Sequence, residues 1–406
     1  VFLVAGCSSE AESDRADSQQ HATTASTGAQ APDPQPEPEL FEGSVDDFYV
    51  VPDPLPAGDA GDLIRYQVVG TQDLADDQNR TTVRVMYHSK DASGADRAVT
   101  GIVTYPDAAA PENGWPVVSY AHGTAGMAPR CAPSRDGRAA PGWGVEGVWA
   151  ATDYVGLGPM GEIHPYLSKP SEGNAVIDIV TAAGQVPGSG AGNRWVTVGH
   201  SQGGHAALAA HELSDERVPG LELVATAAIA PGVGIDISYG VDEQLMTLLT
   251  MMQLYGGATE HDDIDIGDYL TSEAVEDVEV FRTGCVDEIV FELTPTVNAG
   301  PFEVDPWHTE PAASVLRGNL VGTSAVEEVP VFLASGTDDL TVVPARVAAL
   351  VDKLCVLGQP TTFREVQDAD HGSIIPLVHE EVGEFLNSAL DSSALDRPAP
   401  VPDDCP

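Results

Sequence analysis

The chain has almost no lysine. Only Lys90, Lys169 and Lys353 occur among 18 basic residues, against 63 aspartates and glutamates, and the formal net charge over 406 residues is −45. A field of that sign repels nucleic acid and anionic lipid headgroups, so no nucleic-acid partner is expected. It fits a generally solvated acidic surface, or one adapted to high salt, where screening relieves the self-repulsion. Long apolar runs are missing too, and none approaches the roughly 20 residues that a spanning helix needs. Cysteine is scarce, five in all, with no Cys-x-x-Cys spacing, which argues against zinc. No phosphate-binding Gly-x-x-x-x-Gly-Lys-Ser/Thr occurs. Asp262, Asp263, Asp265 and Asp268 form an acidic run, but their spacing is not that of an EF-hand loop and reads as solvated. Neither a metal nor a cofactor is expected.

Residues 1–6 read as the end of an apolar signal segment. Val4-Ala5-Gly6-Cys7 resembles a bacterial lipobox, in which the cysteine is lipidated and becomes the mature N-terminus. On that reading the protein is exported and attached through Cys7 to the outer face of the cytoplasmic membrane. The alternative is a secretory signal with an incidental cysteine. Residues 7–42 are polar, with Pro32, Pro34, Pro36 and Pro38 alternating, and read as a lipidated terminus on a disordered spacer. Without Cys7, four cysteines remain: Cys131, Cys285, Cys355 and Cys405. An even number in an exported chain favours two disulfides, in any of three pairings.

The full chain is 42% apolar, and the rest of it, 43–406, reads as one domain. Short β-rich runs at 82–88, 99–105, 116–121, 148–154, 195–198, 223–230, 331–334 and 362–366 alternate with helical patterns. That is the signature of an α/β fold, a mostly parallel sheet covered by helices, with the first two runs as an antiparallel edge pair. Helices are expected from about Ser171, where Ala175, Val176, Ile179, Val180 and Ala183 recur at helical spacing, from 344 to 357 and from 374 to 390. About 232–328 is too long for a connection and reads as an insertion. Its stretch 244–252 holds three of the six methionines and reads as a lid lining an apolar pocket, or as the insertion's own core.

The chemistry centres on Gly199-His200-Ser201-Gln202-Gly203, the only Gly-x-Ser-x-Gly present. It lies between the run at 195–198 and a helical stretch, as in a nucleophile elbow, where a tight strand-to-helix turn lifts the serine clear of the sheet. A hydroxyl needs a base, and the base an orienting carboxylate, in the chain order Ser, acid, His. His371 follows the last strand and precedes the last helix, so it is the expected base. His205 and His211 fall on the helix after the elbow, and His200 is expected to shape the turn. The acid should follow the penultimate strand, where Asp339 is favoured over Asp338. Tyr120-Ala121-His122-Gly123-Thr124-Ala125-Gly126 reads as an oxyanion loop, pairing the N–H of Gly123 or Thr124 with that of Gln202.

These motifs, with Ala151-Thr152-Asp153-Tyr154-Val155-Gly156-Leu157-Gly158, Gly199 to His205, Gly336-Thr337-Asp338-Asp339 and Asp370-His371-Gly372, resemble the secretory lipases of the Candida antarctica lipase A type, which has actinobacterial members. The resemblance spans roughly residues 80–405. It implies an α/β-hydrolase fold with a helical cap insertion and esterase or lipase activity without a cofactor. It also implies Ser201 as nucleophile, Asp339 as acid, His371 as base, Gly123 and Gln202 as oxyanion donors, and the disulfides Cys131–Cys285 and Cys355–Cys405. Gly123 departs from the acidic residue of the fungal type. The expected reaction is hydrolysis of acylglycerol or other lipid-like esters. Acyl transfer by the same triad, a non-lipid esterase, and a binding protein on this fold are the alternatives.

Overall fold

The computed structural model describes residues 37–73, 79–218, 220–233, 243–326, 328–394 and 405. Cys7, the lipobox and most of the expected spacer lie outside them. The described strands are β1 (Glu39–Leu40), β2 (Leu63–Asp73), β3 (Asn79–Lys90), β4 (Asp96–Pro106), β5 (Trp115–Ala121), β6 (Val148–Thr152), β7 (Ala191–His200), β8 (Glu222–Ile229), β9 (Val331–Gly336) and β10 (Thr361–Val366). They form one sheet in the order β1-β2-β3-β4-β6-β5-β7-β8-β9-β10. Pairing is antiparallel from β2 through β4 to β6 and parallel from β6 to β10.

The expected antiparallel pair, β3 and β4, is present but is not the edge, because β2 and β1 lie outside it. β2 has no clean alternation. Arg65 faces inward, its guanidinium over the rings of Phe41 and Phe48, and the register slips between Val68 and Gly70. Glu39–Leu40, assigned by sequence to the spacer, pair with Arg65 and Tyr66.

The central strands are buried on both faces, which explains their unbroken apolar runs. On one face α9 (Ile374–Ala394) lays Ile374, Val378, Val382, Leu386 and Leu390, a residue every four, against Val196, Val198, Ile229 and Phe332. On the other, α2 (Lys169–Gln185) packs Ala175, Val176, Ile179 and Val180 against Val117 and Trp195. α3 (Gln202–Arg217) and α8 (Pro344–Val356) cover Ala228, Val331 and Leu333 beside them. Each fully buried aliphatic side chain here contributes about 1.5–3 kcal/mol relative to exposure. α2 begins at Lys169, two residues before the expected start, because Pro170 suits the first helical turn. A four-residue helix, α1 (Val45–Phe48), precedes β2.

Between β8 and β9 the described residues form α4 (Glu243–Glu260), α5 (Ser272–Asp277), α6 (Val286–Ala299) and α7 (Ala312–Gly318). They close around an apolar cluster of their own that includes Met246, Met251, Phe281 and Leu293, joined by Met127 and Tyr166 from outside the segment. The acidic run beside them serves local structure, since Asp265 accepts from the N–H of Gly267 and caps a short 3-10 turn. Both disulfides implied by the resemblance are formed, Cys131–Cys285 and Cys355–Cys405. No helix among the described residues is long and apolar enough to cross a membrane.

Candidate active site

The sheet reverses its order at β5, with β6 on one side and β7 on the other, and this opens a crevice at the carboxyl ends of the strands. Ser201 alone makes the turn from β7 to α3. Its φ of 59° and ψ of −121° lie where a side chain is strained, at a cost of about 1–3 kcal/mol. Its N–H donates to Ile229 O (3.0 Å), and its carbonyl accepts from Gly232 N (3.0 Å) and His205 N (3.1 Å). The turn closes only without side chains around it. A Cβ on Gly199 would stand 2.1 Å from Gly203 O, and one on Gly203 2.0 Å from Ala121 O.

The neighbouring strand ends deliver the partners. After β9, Asp339 turns inward and is buried, while Asp338 is exposed. Asp339 Oδ1 accepts from the N–H groups of Thr341 and Val342, both at 2.8 Å, and Oδ2 lies 2.7 Å from His371 Nδ1. With Nδ1–H donated to the carboxylate, the ring is left with Nε2 for a proton from elsewhere. After β10, Asp370 accepts from Gly372 N and Ser373 N and shapes the loop that presents His371. Ser201 and His371 line one cavity, but no hydrogen bond joins their side chains in this structure.

His200 does more than shape the turn. Its Nε2 donates to the carbonyl of His371 at 2.7 Å, and the two rings lie 4.5 Å apart. Burial, with the neighbouring His371 ring, holds its pKa down at about 4, so it is neutral at pH 7. His205 and His211 are both buried, the first on Glu172 and the second between Thr226 and Gln359.

The register Ala121↔Gly199 brings the loop after β5 beside the elbow. A Cβ added to Gly123 would lie 3.5 Å from His200 O and 3.9 Å from Ser201 Cβ, so a side chain fits there and none is present. The loop is pinned by His122 Nδ1 to Gly123 O (2.7 Å), by the Tyr154 hydroxyl to His122 O (2.9 Å), and by Thr124 Oγ1 to the Tyr166 hydroxyl (2.9 Å). Gln202, first residue of α3, is buried with its N–H among the unpaired donors of a helix start.

Above these groups lies a cavity of about 480 Å³. Ser201, His371, Gly123 and His200 form its floor, and Leu248, Leu249 and Met252 of α4 face Val286, Ile289 and Val290 of α6 across it. Within the methionine-rich stretch, Met252 lines the cavity and Met246 and Met251 lie in the segment's own apolar cluster.

Residues 141–380, more than half of the chain, match the family model described as secretory lipase. The chain belongs to the secretory lipase family. This makes it a hydrolase of the lipase/esterase kind. Its fold is shared with solved structures at low identity. Candida antarctica lipase A in its closed state superposes with a TM-score of 0.69 at 18% identity, covering 88% of this chain and 87% of that one. A rice cell wall degrading esterase from Xanthomonas oryzae gives 0.68 at 18%, covering 82% and 99%. A crystal structure from Legionella pneumophila gives 0.67 at 18%, covering 80% and 98%. These likenesses establish the α/β-hydrolase fold. No curated protein gives a significant sequence match.

The protein also holds a polar cluster that sequence reasoning missed. Glu172, in the first turn of α2, is completely buried against Gln202, His205 and Leu167 N, with His164 at its side. Burial alone would raise this carboxyl, but the His164 and His205 rings outweigh it and hold it at about 2. The available signal was an acid set directly before a wholly apolar helix face. His164 stands in a Gly- and Pro-rich loop that gives none.

Proposed function

We propose that this lipase cleaves acylglycerols or similar lipid-like carboxylic esters through an acyl-enzyme on Ser201. The supporting observation is the 2.7 Å bond between buried Asp339 and His371, in a cavity that also holds the serine of a strained elbow. The hydroxyl attacks the ester carbonyl carbon as His371 Nε2 takes its proton. Asp339 holds the ring in the tautomer that has Nε2 free and stabilises the imidazolium that forms. The N–H groups of Gly123 and Gln202 receive the tetrahedral oxyanion, and each such donor lowers the barrier by about 3 kcal/mol. His371 then protonates the departing alcohol, and water releases the acid by the same steps in reverse. The serine–histidine hydrogen bond forms when substrate fills the cavity, as such contacts often tighten only in the complex. None of these steps calls on a cofactor.

α4 and α6 act as the cap of this site, and their leucines, valines and methionine give the acyl chain an apolar bed. Two disulfides fit an oxidising compartment outside the cytoplasm, and a lipid on Cys7 would tether the enzyme at the cell surface. The test is turnover of p-nitrophenyl esters of increasing chain length. Ser201→Ala is expected to lose about 10⁴-fold or more in kcat, and wild-type turnover by that variant would refute the mechanism.

A further inference from the structure

We propose that Glu172 is a positioning residue that braces both halves of the oxyanion hole from below. The inference rests on Ser201 being the nucleophile and on Gly123 and Gln202 receiving the oxyanion.

One buried carboxylate gathers three donors from two segments, the loop before α2 and the start of α3. Oε1 accepts from Leu167 N at 3.0 Å and from Gln202 Nε2 at 2.7 Å, and Oε2 accepts from His205 Nδ1 at 2.7 Å. His164 donates Nδ1–H to Val155 O at 2.9 Å, and its Nε2 lies 2.6 Å from Gln202 Nε2. Gln202 Oε1 has no partner among the described residues, so the bond to Glu172 is what fixes the way the amide points. A flipped amide would set that oxygen against the carboxylate. Gln202 carries the proposed oxyanion N–H, and its side chain is clamped directly beneath that peptide.

The other half of the hole is reached through Leu167. Its N–H bond to Glu172 holds the short segment in which Tyr166 donates to or accepts from Thr124, next to Gly123. His205 carries the brace further, from Nε2 to Asn319 O at 2.8 Å, into the chain leaving α7. An oxyanion donor lowers the barrier only if it is already aimed when charge develops, so its support matters as much as its presence. A carboxylate can accept from all three donors at once. An amide at position 172 would turn an N–H₂ toward one of them.

The test compares Glu172→Gln, Gln202→Met and the double variant with the wild type. Readouts are kcat and KM for p-nitrophenyl butyrate, the rate of labelling by a p-nitrophenyl phosphonate, and the melting temperature. Each single variant is expected to lose tenfold to a hundredfold in kcat and in labelling rate, with KM changed less than twofold. The double variant should be no slower than the slower single variant, because the Gln202 side chain acts through its bond to Glu172. Wild-type kcat in Glu172→Gln with only a lower melting temperature overturns the proposal, and so does a double variant whose losses multiply. If Glu172→Gln does not fold, Gln202→Met alone decides, and wild-type kcat there also overturns it. Labelling of the wild type at Ser201 separates the two ideas. Without it the nucleophile assignment fails, whereas normal labelling with unchanged variants removes only the brace.

Discussion

Replacing Asp339 with Asn keeps the shape of the site and changes which protons it can hold. The carboxylate takes two main-chain N–H groups on one oxygen and the His371 ring on the other, so an amide there must turn a donor toward one of them. We expect kcat to fall about 10⁴-fold with little change in KM, while Asp338→Asn, at an exposed position, stays near wild type. Hydrolysis of p-nitrophenyl butyrate by both variants distinguishes the two neighbours. His200 gives a second residue-scale expectation. Its pKa is held at about 4, below the ordinary histidine value, so the unfolded chain binds its proton first as pH falls. Its share of stability is therefore full above about pH 6.5 and lost progressively down to about pH 4, amounting to about 3 kcal/mol. Melting curves from pH 7 to 4 should show that loss, and His200→Asn should lessen it, leaving the part due to buried His122 and His211, whose values burial also lowers.

At the scale of elements, α6 is clasped to the loop that follows β5. Cys285, before its first residue, is bonded to Cys131, Val286 N donates to Ala125 O at 3.0 Å, and Arg130 pairs with Glu288. The Cys131→Ser/Cys285→Ser double variant should lose about 2–5 kcal/mol of stability and also lower kcat, because the loop that carries Gly123 loosens. Cys355→Ser/Cys405→Ser frees a bond at α8, away from the cavity, and should lower the melting temperature while kcat holds. The same scale explains what could be read in advance. β5, β7, β8 and β9 are buried on both faces and stand out as apolar runs, and α9 repeats its core residues every four positions. Ser201 and Asp339 each follow such a strand, and His371 falls between the half-exposed edge strand β10 and the regular repeat of α9, so position marks all three. β2 was hidden because Arg65 faces inward and a bulge breaks its alternation. Glu172 was hidden because its partners are Leu167, Gln202 and His205, and no local spacing records a contact between α2 and α3.

For the whole molecule the charge of −45 dominates. Like charges on one surface repel, and added salt shortens the range of that repulsion to about 3 Å at 1 M. The melting temperature should therefore rise between 10 mM and 1 M sodium chloride, and a flat response would show that the acids are simply solvated. The same field should make the enzyme slower on anionic vesicles than on neutral emulsions at low salt, a gap that narrows as salt is added. The sheet also divides the molecule into a reactive rim and an idle one. Every group assigned to catalysis leaves a carboxyl end of a strand, whereas the turns feeding β5, β7, β8 and β10 gather at the far rim. An added side chain at Gly184, exposed near the end of α2 on the way to β7, would meet open space. A linker, dye or solid support attached there would leave the cavity facing away from its anchor, so immobilised enzyme should turn over ester at the rate of the free form.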